Sequence, residues 1–370
     1  MALTGNKGEW SEIYTLFKLL GDGIVYAGDE QFNRIEEVFY PIMSVIRREK
    51  VGKKSFVDNT YAINDQNIVI AYENGEEFLK MPCKSFITMS SMLLDEMKKS
   101  TETTFSIPAI EEFMSLLHCN VIKAKAVDKA DIRVVIHDFR TGINPLLGFS
   151  IKSQIGMRST LINPGPTTNI VYKIKGDGMT DEKMLHINNI NKGKKMDLIG
   201  RIKWIYDNGH TLEFNHFENP IFEKNLMMID TILPAIIHKM LLSFYLTDAR
   251  TVIELLEEIE KENFLGFDLK EYPLFYRRKI ANMLVDAALG MVPKTKWDGK
   301  YKATGGYLIV KEDGDVLCYH FYNRNLFEDY LLNNTDFSTP GKHEDNNFGI
   351  VYKENGNYYL NLELQVRFLQ

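Results

Sequence analysis

Asp131 and Lys152 bracket a segment that reads as a β-hairpin. Asp131-Ile-Arg-Val-Val-Ile-His137 alternates like a half-buried strand, Thr141-Gly142 and Asn144-Pro145 turn the chain, and Leu147 to Ser153 forms a second strand. With the turn centred near residue 142, antiparallel pairing brings the Asp131 carboxylate close to the Lys152 ammonium. Ser150 shares the face of Lys152, because side chains alternate along a strand. A carboxylate beside an ammonium is what metal-assisted hydrolysis requires: an oxygen-ligated cation polarises a phosphoryl oxygen, lowers the pKa of water and stabilises developing charge. Each residue also has a plainer reading, since a strand-end Asp caps turns and a strand Lys snorkels to solvent. The surroundings favour chemistry: Lys152 follows the apolar run Leu146-Leu147-Gly148-Phe149, where an idle charge would be costly.

An Asp, a gap, and then x-Ile-Lys on the neighbouring strand resembles the PD-(D/E)XK nuclease active site. The resemblance implies that the first acid holds Mg²⁺ and that the lysine orients or deprotonates the attacking water. Ser150 stands where that pattern carries its second acid, and one carboxylate is thin for a divalent ion. Related nucleases recruit an acid from a helix instead. Glu9 and Glu12, three apart on one face of the first helix, are the candidates. Glu12 is favoured because it flanks the apolar stripe of Ile13 and Phe17; both residues also read as surface acids. Asp138, near the hairpin turn, is the next candidate.

The elements that must position these residues follow from periodicity. Trp10, Ile13, Tyr14, Phe17 and Leu20 recur at helical spacing across Gly8 to Leu20, and Gly21 and Gly23 end that helix. Ile24-Val25-Tyr26 reads as a short strand, Phe39 to Arg47 as helical or extended, and Asn67 to Ile70 as a strand before the turn Glu73-Asn74-Gly75. Ser85 to Lys98 and Pro108 to about His118 read as helices. Long helices are expected around Ile221 to Tyr245, Thr251 to Glu262 and Tyr276 to Leu289. From Gly305 onward strand signals dominate: Tyr307 to Lys311, Asp315 to Phe321, Gly349 to Tyr352 and Tyr358 to Arg367. The fold class is α+β, a PD-(D/E)XK-like mixed sheet flanked by helices with a strand-rich C-terminal region. Residues 1–220 are expected to form a nuclease core with a helical insertion, its catalytic hairpin at 131–153. Residues 221–370 are expected to form a helical and then β-rich region suited to DNA recognition or dimerisation. The boundary between these two regions is soft, because no linker marks it.

The composition fits a globular protein of 370 residues, 45 % hydrophobic and 25 % charged. Cys83, Cys119 and Cys318 include no CxxC pair, which excludes a thiolate zinc site and argues against a disulfide framework, so a reducing cytoplasm is the expected location. Met1 to Glu9 is polar, with no signal-peptide core. The apolar stretch Leu226 to Leu246 carries Asp230, Pro234, His238 and Lys239, so it reads as a buried helix and no membrane is expected. A net charge of −6 is awkward for a nucleic-acid partner, but a local basic face is what counts. Glu254, Glu257, Glu258, Glu260 and Glu262 gather on one solvated helix. Basic runs lie elsewhere, at Arg47, Arg48, Lys50, Lys53 and Lys54, and at Lys192, Lys194, Lys195, Arg201 and Lys203. His210 and His216 fit an exposed strand better than a metal site, and Gly21, Gly23 and Gly28 lack dinucleotide-site spacing.

Ordered blocks over nearly the whole chain carry a sharper resemblance. Gly5-Asn-Lys-Gly-Glu-Trp-Ser-Glu-Ile-Tyr14, Gly148-Phe-Ser-Ile-Lys-Ser153, Thr160-Leu-Ile-Asn163 with Thr168-Asn169, Asn333-Asn-Thr-Asp-Phe337 and Asn361-Leu-Glu-Leu-Gln-Val-Arg-Phe368 resemble the HpaII-like type II restriction endonucleases. This implies a Mg²⁺-dependent enzyme that cleaves double-stranded DNA at the palindrome CCGG, with a cytosine DNA methyltransferase as genetic partner and a homodimer as one way to engage a palindrome. It carries Asp131 and Lys152 as catalytic residues, with Ser150 at the variant position. Gln154, Arg158, Asn163, Thr168 and Asn169 follow and could contact phosphates or base edges. Two rival readings remain within the family: another recognition sequence, or a DNA-binding member that has lost catalysis. An unrelated metabolic enzyme is disfavoured by the lack of a cofactor motif.

Overall fold

The computed structural model describes residues 2–51, 55–124, 130–139, 141–190, 197–341 and 347–369. In chain order, α1 (Lys7–Asp22) leads to β1 (Ile24–Gly28), β2 (Arg34–Lys50), β3 (Phe56–Ile63), β4 (Ile68–Glu73) and β5 (Glu76–Pro82). Helices α2 (Cys83–Lys99) and α3 (Pro108–Leu116) precede β6 (Ile132–Ile136), β7 (Leu146–Ser153), β8 (Thr160–Ile162) and β9 (Asn169–Lys175). Then come α4 (Asp181–Asn189), α5 (Leu198–Asp207), β10 (Thr211–Phe217), α6 (Pro220–Ile229), α7 (Leu233–Leu246), α8 (Val252–Glu262) and α9 (Phe275–Leu289). The chain closes with β11 (Gly306–Val310), β12 (Val316–His320), α10 (Arg324–Asn333), β13 (Thr335–Phe337), β14 (Val351–Glu354), β15 (Asn357–Glu363) and β16 (Val366–Phe368). This is the mixed α and β architecture expected, with a strand-rich C-terminal region.

The chain divides into two compact units, residues 1–159 with 301–330 and residues 160–300 with 331–369. The first holds a sheet in the order β1-β12-β11-β7-β6-β2-β3-β4-β5. Its antiparallel core, β2-β6-β7, is continued by β11, which runs parallel to β7 with Tyr307 opposite Ser150 and Ile309 opposite Lys152. One face, carrying Ile132, Val134, Leu147, Phe149, Leu308 and Val310, shares a core with Ile13, Leu16, Phe17 and Leu20 of α1 and with Phe86 and Leu93 of α2. On the other face Tyr307 meets Phe327 of α10 edge to face, and Tyr319 stacks on Tyr330. Burying apolar surface at roughly 25 cal/mol per Å² is what fixes α1 against this sheet.

The division differs from a boundary at 220/221, which falls inside the second unit between β10 and α6. The reason is the parallel return of β11 to β7, a pairing across about 150 residues of chain that no local pattern announces. Phe39 to Arg47 is extended, as part of the long β2. The helix expected around Ile221 to Tyr245 is two helices, α6 and α7, bent by 113° at a break that contains Asp230.

The second unit contains the sheet β10-β9-β15-β14, the small sheet β13-β16-β8 and the apolar helix α7. Leu233, Ile236, Ile237, Met240, Leu241 and Phe244 of α7 are buried. Among the described residues no single helix is long and apolar enough to cross a membrane. All three cysteines are buried free thiols.

Candidate active site

The hairpin forms with Ile132 opposite Phe149 and Val135 opposite Leu146, which sets Asp131 beside Ser150 at the open end of the strands. The Asp131 backbone N–H donates to the Phe149 carbonyl at 2.9 Å, and its Oδ2 accepts from the Ile151 N–H at 2.8 Å. Gly148 makes this tight approach feasible, since a Cβ there would lie 2.8 Å from the Cβ of Ala130. Lys152, half-buried, lies two residues beyond Ser150 on the same face, its ammonium 5.4 Å from the centre of the Tyr307 ring.

Glu12 comes from α1. Asn6 and Glu9 form a reciprocal capping box: the Glu9 N–H donates to Asn6 Oδ1 at 3.0 Å, and the Asn6 N–H donates to Glu9 Oε2 at 2.9 Å. The Glu9 carboxylate is thereby engaged in starting the helix. One turn on, the Trp10 indole N–H donates to the Phe105 carbonyl and ties the helix to its own unit. Glu12 lies between the buried Ser11 and Ile13, only 9 % exposed, and its Oε2 accepts from the Ala124 N–H at 3.3 Å.

These side chains form one electrostatic cluster. Burial pushes the Glu12 carboxyl up to about 8, with the Asp131 carboxylate adding to the rise against the pull of Lys123 and Arg47. Burial also raises Asp131, opposed by the Ile151 N–H, Lys152 and Lys123. Lys152 is lowered by burial and by Lys123, while Asp131 counteracts. A buried carboxyl raised by a half-buried neighbouring carboxylate is a donor set short of positive charge. Such a pair fits a hard divalent cation, which takes one or two carboxylates and completes its shell with water and phosphate oxygens. The described residues contain no cluster of three or more acidic, His or Cys ligands.

Three sequence candidates thus converge: Asp131, Lys152 and, from another element, Glu12. Ser150 is buried beside them. Asp138 lies at the far end of the hairpin, bonded to Thr141 Oγ1 at 2.9 Å, roughly 20 Å away by strand rise. Gln154 and Arg158 are half-buried in the same unit; Asn163 is exposed in the second. Thr168 is fully buried with its hydroxyl donating to the Gly165 carbonyl, and Asn169 is buried at the wall of a pocket of about 580 Å³ that Asn361, His216 and Glu218 also line.

Lys123 was absent from the sequence candidates, because it lies in an irregular segment with no periodicity to place it. Two arginines of the basic runs are buried: Arg47 pairs with Glu49 at 2.5 Å, and Arg201 donates to the Gly349 and Asn188 carbonyls. Arg48 pairs with Asp58, while Lys50 and Lys203 are exposed. Lys53, Lys54, Lys192, Lys194 and Lys195 lie outside the described residues.

The family model described as HpaII restriction endonuclease matches residues 6–368. Type II restriction enzyme HpaII of Haemophilus parainfluenzae is 42 % identical over 367 residues, covering 99 % of this chain and 99 % of that protein. No solved structure matches the chain.

Proposed function

The chain belongs to the HpaII restriction endonuclease family and is a type II site-specific deoxyribonuclease, and from that premise we propose that it hydrolyses duplex DNA at CCGG with Mg²⁺, using Asp131, Glu12 and Lys152. The observation that carries the site is the buried Glu12 carboxyl, pushed up by burial and by the Asp131 carboxylate, with Asp131 placed opposite Ser150 and within electrostatic reach of Lys152. The antiparallel β6–β7 pair with β11 parallel to β7 supports a PD-(D/E)XK-type core.

In this reading Asp131 and Glu12 hold the Mg²⁺, with Ser150 in the place of the usual second acid. The cation, when bound, supplies Lewis-acid polarisation of the scissile phosphate and a lowered pKa for water. Asp131 is kept in position by the Ile151 N–H, and Glu12 by the Ala124 N–H. Lys152, with its pKa lowered by burial, orients the attacking water and in its neutral form accepts a proton from it. The Tyr307 ring supports the aliphatic stem and ammonium of Lys152 from the same sheet face. Gln154, Arg158, Asn163 and the pocket walled by Asn169 contact the duplex, with Arg or Lys donors reading guanine O6 and N7 in the major groove. A homodimer matches the palindrome, the parts of residues 221–370 outside the hairpin's unit contribute to recognition or dimerisation, and a cytosine methyltransferase protects the host sites.

Incubating purified protein with Mg²⁺ and a phage DNA of known sequence tests the reading. Fragments ending at CCGG are expected, and methylation of those cytosines should block cutting by placing a methyl in the contact zone. Lys152→Ala should lose cleavage while retaining DNA binding. Cutting elsewhere with CCGG intact would overturn the specificity, and full turnover by Lys152→Ala would overturn the assignment of Lys152.

A further inference from the structure

We propose that Lys123 is a phosphate-binding residue of this site, delivered to it by the buried Arg47–Glu49 pair; the proposal rests on the nuclease reading above. Residues 120–124 have no regular structure, yet they are fixed at almost every step. The Asn120 N–H donates to Glu49 Oε2 at 2.9 Å. Arg47 Nη2 donates to the Val121 and Ile122 carbonyls, each at 2.7 Å. The Ala124 N–H donates to Glu12 Oε2. Lys123 therefore sits between a carbonyl held by a buried guanidinium and an N–H held by the carboxylate proposed to bind metal.

Its side chain is exposed, in contrast to the buried anchors around it. It is close enough to Glu12, Asp131 and Lys152 to influence all three electrostatically, yet it forms no salt bridge or hydrogen bond with them. An ammonium held at the mouth of such a site, with no hydrogen-bond partner among the described residues, suits an anion that arrives with the substrate. In duplex DNA that anion is a backbone phosphate. Arg47 and Glu49 act through this segment and are positioning residues. Their burial explains why part of a basic run in the sequence serves the site indirectly, by ordering a strap rather than by touching DNA.

The test is DNA binding in a chelator, where cleavage does not interfere, using a duplex that contains CCGG and measuring affinity across salt concentrations. Wild type, Lys123→Ala and Lys123→Arg are compared, with thermal melts to verify folding. Loss of one neutralised phosphate should lower the slope of log affinity against log salt by about 0.9 for Lys123→Ala, and Lys123→Arg should restore it. Affinity at moderate salt should fall about tenfold. A lysine that served only as counter-ion to the two carboxylates would leave the slope unchanged in Lys123→Ala, and that result would overturn the proposal. Failure of wild type to bind or cut any duplex would instead sink the nuclease reading itself.

Discussion

Two buried acids of the first unit meet the same desolvation cost with different partners. Glu49 is fully buried, paired with Arg47 at 2.5 Å, and accepts from the Asn120 N–H. Glu12, 9 % exposed, has a single N–H at 3.3 Å and a second carboxylate, Asp131, as its neighbour. Burial raises both carboxyls, but at Glu49 the guanidinium and backbone donors answer it, whereas at Glu12 a like charge makes it worse. A satisfied buried ion pair orders the chain around it. At Glu12 no cationic side chain is paired with the acid among the described residues, which is the feature the proposed cation would answer.

The largest effect should separate the two acids by stability. Breaking the satisfied pair with Arg47→Met or Glu49→Gln should cost about 3–5 kcal/mol, because the remaining partner is left buried and unpaired. Glu12→Gln keeps an acceptor for the Ala124 N–H and removes a strained charge, so metal-free stability at pH 8 should hold or rise while Mg²⁺-dependent cleavage falls by about a hundredfold or more. Denaturant unfolding and cleavage rates would read both, and equal destabilisation by Glu12→Gln and Glu49→Gln would erase the contrast.

Next in size is the response to pH. An acid whose folded pKa lies above its unfolded value binds its proton more tightly when folded, so its contribution to stability is lost as pH rises. For Glu12 the window runs from about 4.5 to about 8. Metal-free wild type should therefore lose on the order of a few kcal/mol across it relative to Glu12→Gln. Asp131, also raised, acts in the same direction. Parallel pH–stability curves for the two proteins, followed by thermal melts in chelator, would show that Glu12 carries no such strain.

The smallest effect concerns Glu9, one turn before Glu12. A capping box accepts Gln at its third position, so Glu9→Gln should change stability by less than about 1 kcal/mol and leave cleavage near that of wild type. A cleavage defect as deep as that of Glu12→Gln would return Glu9 to the metal site.

Much of this arrangement was legible in the sequence where the signal was local. Period-two alternation marked β6 and β7 and put Ser150 and Lys152 on one face. A turn centred near residue 142 would set Asp131 close to Lys152, whereas the register formed sets it opposite Ser150, two residues short of Lys152. Helical periodicity placed Glu12 next to the stripe of Ile13 and Phe17, and ordered motifs identified the family. The spacing did not separate Glu9 from Glu12, since residues three apart share a face whether their side chains cap a helix or enter a core.

Contacts distant in sequence supplied the rest. The return of β11 to β7 drew residues 301–330 into the hairpin's unit, a division that the sequence, with no linker to mark a boundary, left soft. Burial made Glu12 an acid with a pKa near 8, an effect set by the neighbours that exclude water and hence by the packed fold. Lys123 was invisible because its segment owes its position to Arg47, Glu49 and Glu12, far away along the chain. Sequence by itself determined the local elements and the residue types available for chemistry, since these follow from side-chain periodicity. The tertiary structure decided which charges meet and how strongly they interact, because desolvation and Coulomb energy depend on distance in space and not on spacing along the chain.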